Sequence, residues 1–308
     1  MPRQAKPGTG TGTGSQGAVG TNQAATLRGV LWAMLASLAL TVMLLLVKLL
    51  GRNVPVEQVL VIRQAVVVLL LLPIVAPQYS DVFATDRLGL HLLRAALAAV
   101  ALAAGYTAVA HLPLADFTAL NFSRAFFLTI LAVVILGETV GLRRWSATIV
   151  GFIGVIIVLG PGTSGFSPYA LLALLGALAT ALIFVIVRAL TVSEAPLTIM
   201  SYQSLLVGIM VVPFVLSGWK PLTGREWLLA IGVGVTGLLA QVASIRALRA
   251  APASLVAPAD YTRLVWAMLL GFLLFSELPT LYSGFGAILI VVSALAVLTE
   301  KKEANAAD

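Results

Sequence analysis

Two ionisable residues lie inside a segment that is otherwise apolar enough to cross a membrane. The segment from Ala257 to Glu277 reads APADYTRLVWAMLLGFLLFSE, and Asp260 and Arg263 stand three residues apart within it. Residues at i and i+3 of a helix share a face, so this spacing is typical of an ion pair. Ionisable side chains in a bilayer are costly unless they are paired or face a wet interior. The segment therefore predicts either a structural ion pair or a polar site deep in the membrane.

The same polar motif occurs a second time in the chain. The run NFSR at 121–124 matches the run DYTR at 260–263 with an offset of 139 residues, and Glu138 matches Glu277 with the same offset. Matches between alanines or leucines carry little weight in such an apolar chain, but these polar matches do. They indicate an internal repeat in which an amide of the first copy replaces the acid of the second.

The composition excludes most soluble and metal-binding classes. The chain has 308 residues, 60% of them hydrophobic and 10% charged, whereas soluble domains have about 25% charged residues. This predicts a polytopic membrane protein. Cysteine is absent and the two histidines are far apart, so no metal site, cofactor or disulfide is predicted. The net charge of +7 is scattered over short loops, which favours a role in membrane topology over nucleic-acid binding.

Ten apolar segments follow a Gly/Thr/Ser-rich tail. Residues 1–26 form this tail, which is predicted to be disordered and cytoplasmic. The first repeat is assigned to 27–162, the second to 163–299, and 300–308 form a second cytoplasmic tail. The predicted segments are 28–50, 56–76, 91–111, 114–136, 144–161, 168–190, 196–217, 226–246, 252–275 and 281–299.

The odd number of segments in each repeat predicts its orientation. Two copies of a five-segment unit in series must insert upside down relative to each other. Of the nineteen Lys and Arg residues, eleven fall on the side of the N-terminus, four on the opposite side and four inside the membrane. The positive-inside rule then puts both termini in the cytoplasm. The predicted fold is an all-α polytopic membrane protein with ten transmembrane helices as two inverted five-helix repeats, an architecture typical of alternating-access transporters.

Two longer runs around the repeated motif resemble a known family. LPLADFTALNFSRAFFLTILAVVILGETVGLRRW and ALRAAPASLVAPADYTRLVWAMLLGFLLFSELP look like the two halves of an EamA-type member of the drug/metabolite transporter superfamily. The second half is most similar to the bacterial branch that includes riboflavin and S-adenosylmethionine importers. The resemblance implies a central cavity lined by the first four helices of each repeat, in the bacterial cell inner membrane. Ala125 stands where many relatives have proline, so no proline kink is carried over.

Helix geometry predicts that two arginines meet in one central site. Arg124 and Arg263 each lie ~16 Å from the start of their helices, which enter from opposite sides. Asp260 precedes Arg263 by three residues, whereas only Asn121 stands at that distance before Arg124. We therefore expect Arg263 to be paired with Asp260, and Arg124 to be unpaired and available to a carboxylate or carbonyl group of a substrate.

Further candidates come from matched positions in the second and seventh segments. Arg63-Gln64 and Tyr202-Gln203 stand at equivalent places in the two repeats. A lone membrane glutamine is commonly interhelical glue, but its repetition beside Arg or Tyr favours a cavity. Trp266 is suited to stacking on a flat ligand, with packing as the alternative. The predicted substrate-binding set is Arg63, Gln64, Asn121, Arg124, Tyr202, Gln203, Asp260, Tyr261, Arg263 and Trp266. Glu277 is expected to cap or pair locally, and Arg94 to snorkel.

Two function classes fit these patterns. The first is a secondary transporter for a small polar or amphipathic metabolite bearing a carboxylate or carbonyl group. The second is a membrane-embedded lipid-modifying enzyme, which would need convergent acid, base or nucleophilic groups. Asp260 is the only acid at such depth, no histidine lies near it, and no ATP-binding motif occurs, so transport is preferred and no catalytic residue is predicted. The expected partners are the metabolite and the lipid bilayer. The oligomeric state, including a homodimer, is left open.

Overall fold

A computed structural model describes residues 15–51, 53–136, 141–159, 167–191, 193–216, 218–250, 259–278 and 280–293. The helices of these residues are α1 (Ser15–Leu50), α2 (Val56–Val75), α3 (Tyr79–Val82), α4 (Leu88–His111), α5 (Leu114–Phe122), α6 (Arg124–Leu136), α7 (Leu142–Leu159), α8 (Tyr169–Leu190), α9 (Pro196–Leu216), α10 (Gly224–Ala250), α11 (Thr262–Phe275) and α12 (Leu281–Ser293). Pro252, Glu138 and the predicted tail at 300–308 lie outside the described residues.

The described helices have the length and apolarity of membrane spans. Seven stretches qualify, namely Leu27–Leu50, Val56–Val82, Leu88–His111, Leu114–Ile135, Tyr169–Leu190, Pro196–Leu216 and Gly224–Ala250, and three apolar helices of 10–17 residues accompany them. The prediction of an all-helical polytopic membrane protein is confirmed. The largest difference in a boundary is that α1 begins at Ser15 and so includes residues that the composition assigns to a disordered tail.

Glycine and proline set the limits of several spans. Gly51 ends α1 with a φ of 60°, a left-handed conformation that a residue without a Cβ adopts at little cost. Pro55 and Pro113 stand immediately before α2 and α5. Proline fits there because the first helical turn does not need its missing N–H group.

The two halves of the chain pack against each other through reciprocal pairs of helices. α1 lies along α10, and in the same way α4 lies along α8. α2 contacts α10 as α9 contacts α4, and α1 contacts α11 as α6 contacts α8. The second helices of the halves, α2 and α9, pack on one another. Every one of these contacts recurs with the halves exchanged, as expected of two copies of one unit around a pseudo-twofold axis.

Small residues allow the backbones to approach at these contacts. A methyl group added at Gly176 of α8 would lie 3.3 Å from the carbonyl oxygen of Ala101 in α4. A methyl group at Gly234 of α10 would lie 2.6 Å from Cβ of Val66 in α2. Close packing at glycine is typical of membrane helices, where van der Waals contact rather than water exclusion drives association.

Candidate functional site

Both halves interrupt a membrane helix at the repeated polar run. In the first half α5 ends at Phe122 and α6 begins at Arg124, with Ser123 as a turn between them. In the second half Tyr261 is the turn residue immediately before α11. The two interruptions fall within one residue of the repeat offset.

Hydroxyl groups explain why the helices break there. Ser123 Oγ donates to the carbonyl oxygen of Leu120 at 2.6 Å, and its repeat equivalent Thr262 donates through Oγ1 to that of Ala259 at 2.6 Å. Such back-bonding competes with the helical ladder and bends helices. The interruption therefore arises without a proline at Ala125.

Three charged residues meet at these interruptions, and we call them the central triad: Arg124, Asp260 and Arg263. Arg124 Nη2 donates to Asp260 Oδ2 at 2.8 Å, which joins the first half to the second. Arg263 Nη2 lies 3.8 Å from the same oxygen. Ser37 Oγ of α1 donates to the carbonyl oxygens of Ala259 and Asp260 at 3.2 and 3.3 Å. The structure thus brings the two arginines together at one acid, as the repeat predicts.

The pairing inside the triad differs from the predicted one. The expectation that Arg263 is the partner of Asp260 and that Arg124 is unpaired is wrong, because Arg124 makes the shorter contact. The Arg263 guanidinium lies 4.6 Å from the ring centre of Phe122, and its Nε and Nη2 make no hydrogen bond to a described residue. An i, i+3 spacing puts two residues on one face, but an aromatic ring of the other half holds the guanidinium here.

Aromatic rings surround the triad between the halves. Phe122 and Tyr261 are equivalent in the repeat, and their ring centres are 4.7 Å apart. The two copies of the polar run are therefore in contact with each other. The Arg124 guanidinium lies 6.0 Å from the ring centre of Phe184 in α8. The side chains of Arg124 and Asp260 stay 26% and 37% exposed, so this ion pair is not sealed inside the packed helices.

Arg63 and Gln64 lie on α2, beside α9 and α10. Arg63 Nη1 donates to Gln64 Oε1, and Gln64 Nε2 donates to the carbonyl oxygen of Ser204 in α9 at 3.1 Å. Gln64 is buried, and both ends of its amide are occupied. Gln64 therefore links α2 to α9 by a hydrogen bond, as the packing interpretation predicts, and it also orients Arg63.

Tyr202 and Gln203 belong to a separate polar cluster, where the α3–α4 and α8–α9 connections meet. Tyr202 Oη donates to the carbonyl oxygen of Phe83 at 2.8 Å, and its ring stacks on His91 with ring centres 4.4 Å apart. Gln203 Oε1 accepts a hydrogen bond from Arg94 Nη2. The structure does not bring Tyr202 and Gln203 to the central triad.

The same cluster contains buried charged groups that were not among the predicted site residues. Arg94 does not snorkel as predicted: it is 6% exposed, and its Nη1 donates to the carbonyl oxygen of Ile199 at 2.8 Å. Glu194 Oε1 accepts from Thr85 Oγ1 at 2.6 Å and lies 3.9 Å from His91 Nε2. These contacts tie the connections of the two halves together.

A second cluster, missed by sequence reasoning, lies at the Leu50 end of α1. Lys48 and Glu277 form an ion pair between the two halves. Lys48 Nζ also donates to the carbonyl oxygen of Leu112, and Glu277 Oε2 accepts from the backbone N–H of Leu114 at 3.0 Å. Glu277 therefore bridges the halves instead of pairing locally as predicted. The repeated acid was the available signal, but nothing in the sequence identified its partner.

The side chains of Asn121, Tyr261 and Trp266, three predicted site residues, have no hydrogen-bond partner among the described residues. Asn121 is half-buried and its side chain makes no hydrogen bond there, and Trp266 Nε1 is buried without an acceptor. Their role in substrate binding stays a prediction. The described residues contain no group of three or more His, Cys, Asp or Glu side chains that could hold a metal ion.

Fold and site together define a class. The protein is a helical multi-pass membrane protein with a duplicated motif, whose charged residues meet between its two halves. The chain belongs to the EamA-like transporter family, which matches residues 27–160 and again residues 167–299. The family predicted from the repeated runs is thereby confirmed.

Several curated relatives cover almost the whole chain. It is 32% identical to a riboflavin transporter of Vibrio cholerae, over 87% of this chain and 91% of the relative. It is 31% identical to a pseudopaline exporter of Pseudomonas aeruginosa, over 89% and 97%. It is 27% identical to an S-adenosylmethionine uptake transporter of Rickettsia felis, over 90% and 95%. A solved crystal structure covers 89% of this chain and 97% of its own with a TM-score of 0.59 at 17% identity, which shows the fold alone. Family and relatives support membrane transport of small metabolites rather than the enzymatic alternative.

Proposed function

We propose that the protein is a secondary transporter that binds a small polar or amphipathic metabolite near mid-membrane, between two inverted repeats, and moves it by alternating access. The observation that carries this proposal is the Arg124–Asp260 ion pair, which crosses from one half to the other and stays partly exposed. Ionisable groups persist at such depth when they face a bundle interior or a substrate path. The triad has two arginines and one acid, so it favours substrates with carboxylate or carbonyl groups.

The inverted ten-helix architecture is part of the proposal. It is supported by the odd number of segments in each repeat, by the charge asymmetry and by the reciprocal helix contacts. Both termini would then lie in the cytoplasm of a bacterial inner membrane. Because the chain has no native cysteine, single cysteines replacing Asn53, Leu278 and Ala307 report topology directly. The first two should react with an impermeant maleimide in intact cells, and labelling of the third would contradict the orientation.

The Lys48–Glu277 cluster supports alternating access. These contacts join the two halves at the Leu50 end of α1. They must therefore break before a solute can pass between the halves at this end. The relatives include both uptake and export proteins. Direction of transport is therefore not part of the proposal.

Purified protein in liposomes tests the function. Radiolabelled S-adenosylmethionine and riboflavin, the compounds named for the relatives, are added outside, and the vesicle contents are identified by chromatography. We expect one of them to enter unchanged with wild-type protein and not with Arg124→Gln. Arg225→Gln, an exposed arginine at the start of α10, is the matched control and should transport normally. Entry of neither compound, or recovery of a chemically altered compound, would contradict the proposal.

A further inference from the structure

Arg63 combines an Nε–Nη2 edge without a hydrogen bond with the absence of any acidic partner among the described residues. Only Nη1 is engaged, as a donor to Gln64 Oε1. Nε is buried without an acceptor, Nη2 makes no hydrogen bond to a described residue, and no described carboxylate lies within ion-pairing distance. By contrast, Arg94 uses both terminal nitrogens and Arg124 holds Asp260. Nε and Nη2 of Arg263 also lack hydrogen bonds, but Arg263 has Asp260 at 3.8 Å and the ring of Phe122 at 4.6 Å.

The unoccupied edge is the one suited to bidentate binding. Nε and Nη2 of an arginine point their N–H groups in the same direction, which matches the two oxygens of a carboxylate or phosphate. Gln64 fixes the guanidinium from the other side through Nη1 and is itself held by Ser204 of α9. A buried donor without an acceptor is uncommon in native structures, and a missing ligand is one explanation.

Small and flexible groups lie against this edge. A methyl group added at Gly237 of α10 would lie 3.4 Å from Arg63 Nε, 3.5 Å from Nη2 and 3.0 Å from Met43 Sδ. A side chain at Gly237 would therefore crowd this edge. Met43 is the flexible neighbour, and its sulfur accepts a hydrogen bond from Tyr106 Oη at 3.6 Å. Because a thioether side chain is adaptable, it can move aside for a ligand.

The equivalent position in the other half offers no such group. Tyr202 replaces Arg63 there, and its hydroxyl and ring are occupied by Phe83 and His91. Among the described residues, the two halves are therefore asymmetric at this level, and the arginine edge lies on the side of α1, α2 and α10.

This edge lies within reach of the central triad. Met43, beside Arg63, and Ser37, which binds the backbone of Asp260, stand six residues apart on α1. Six residues of helix correspond to about 9 Å along the axis. A small metabolite can span that distance, with its ends at two sites that each carry net positive charge.

We propose that the Nε–Nη2 edge of Arg63 is an anion subsite that binds a carboxylate or phosphate of the transported compound, while the rest of the compound extends toward the central triad. The proposal rests on the proposed transport function and adds the class of substrate group and its location. Gln64 is the positioning residue, and Gly237 provides the space.

Matched pairs of compounds test the subsite by thermal shift of the purified protein, since a ligand that binds only the folded state raises its melting temperature. S-adenosylmethionine is compared with its decarboxylated form, and riboflavin 5′-phosphate with riboflavin. We expect the member of one pair that has the carboxylate or phosphate to bind, and the member without it to bind at least tenfold more weakly. The pair that responds tells carboxylate from phosphate. In Arg63→Gln the member with the acidic group should lose roughly 10- to 100-fold in affinity and match its counterpart.

Two further variants separate loss of the subsite from loss of the fold. Gly237→Ala leaves every charge in place but crowds the edge, so it should weaken the compound with the carboxylate or phosphate more than its counterpart. Arg225→Gln removes an exposed arginine and should change nothing. Three results would overturn the subsite: equal binding within each pair by the wild type, no binding of either compound that has the acidic group, or unchanged binding of that compound by Arg63→Gln. If liposomes nevertheless take up a compound through wild-type protein, transport stands and only the subsite is wrong.

Discussion

Replacing Asp260 by asparagine removes the one acid that holds two arginines in the central triad. Arg124 Nη2 and Arg263 Nη2 lie 2.8 and 3.8 Å from Asp260 Oδ2. With an effective dielectric constant of about 20, these distances correspond to gross attractions of about 6 and about 4 kcal/mol. Desolvation offsets much of this, and removing one member of a buried pair typically costs about 3–5 kcal/mol.

The partial exposure of Asp260 puts the expected loss of stability at the lower end of this range of about 3–5 kcal/mol. The Asp260 side chain is 37% exposed, so solvent screens part of its interaction with Arg124. The Arg263 side chain is 2% exposed and would keep an uncompensated charge. We expect Asp260→Asn to lower the free energy of unfolding by about 3 kcal/mol, which corresponds to a melting temperature lower by about 6–12 °C.

The arginines should respond differently from the acid. Arg263→Gln should cost less than about 1 kcal/mol, because Asp260 keeps Arg124 and the lost guanidinium already has two nitrogens without hydrogen bonds. Adding Arg263→Gln to Asp260→Asn should then recover much of the lost stability. Melting curves in one detergent measure all variants, with Asp86→Asn on the exposed α3–α4 connection as control. A wild-type melting temperature for Asp260→Asn, or a larger loss for Arg263→Gln alone, would refute the reasoning.

Two further stability predictions concern helix packing and the polar cluster around Tyr202. Gly154→Ala should lower stability by about 1–3 kcal/mol, because its methyl group would lie 2.9 Å from the carbonyl oxygen of Gly286, whereas Gly284→Ala, with no atom within 4 Å, should not. Thermal unfolding of the pair decides this, and equal effects would contradict the close α7–α12 contact. Tyr202→Phe should cost about 1–2 kcal/mol by leaving the Phe83 carbonyl oxygen without its donor, yet keep the apparent affinity for the transported compound. A weaker affinity in Tyr202→Phe would instead indicate that Tyr202 contributes to the substrate site.

The sequence was sufficient for the class of fold and the centre of the site. Composition and apolar length identify membrane helices because lipid requires every backbone polar group to be satisfied within a helix or barrel. The repeat offset placed Arg124, Asp260 and Arg263 at one depth, and the structure joins them. Both results follow from helix rise and periodicity, which are properties of the backbone.

Partner choice was not predictable from spacing alone. The i, i+3 rule selects neighbours on one helix, but Arg124 reaches Asp260 across the interface between the halves. Equivalent positions also acquired different surroundings, because the Phe83 carbonyl oxygen that fixes Tyr202 belongs to a connection of the first half. The Lys48–Glu277 pair depends in the same way on helix ends that meet only in the folded molecule.

The central claim is that the two halves open alternately around one site. Cross-linking the halves at one end tests this claim most directly. Cysteines replacing Lys48 and Glu277, which are in contact, are the only thiols in the double variant because the chain has no cysteine of its own. A short bifunctional methanethiosulfonate reagent joins them, and a reductant releases them. We predict that proteoliposomes containing the joined variant take up no compound, that reduction restores uptake, and that single-cysteine variants treated alike remain active. Uptake by the joined variant at the rate of the reduced one would contradict alternating access.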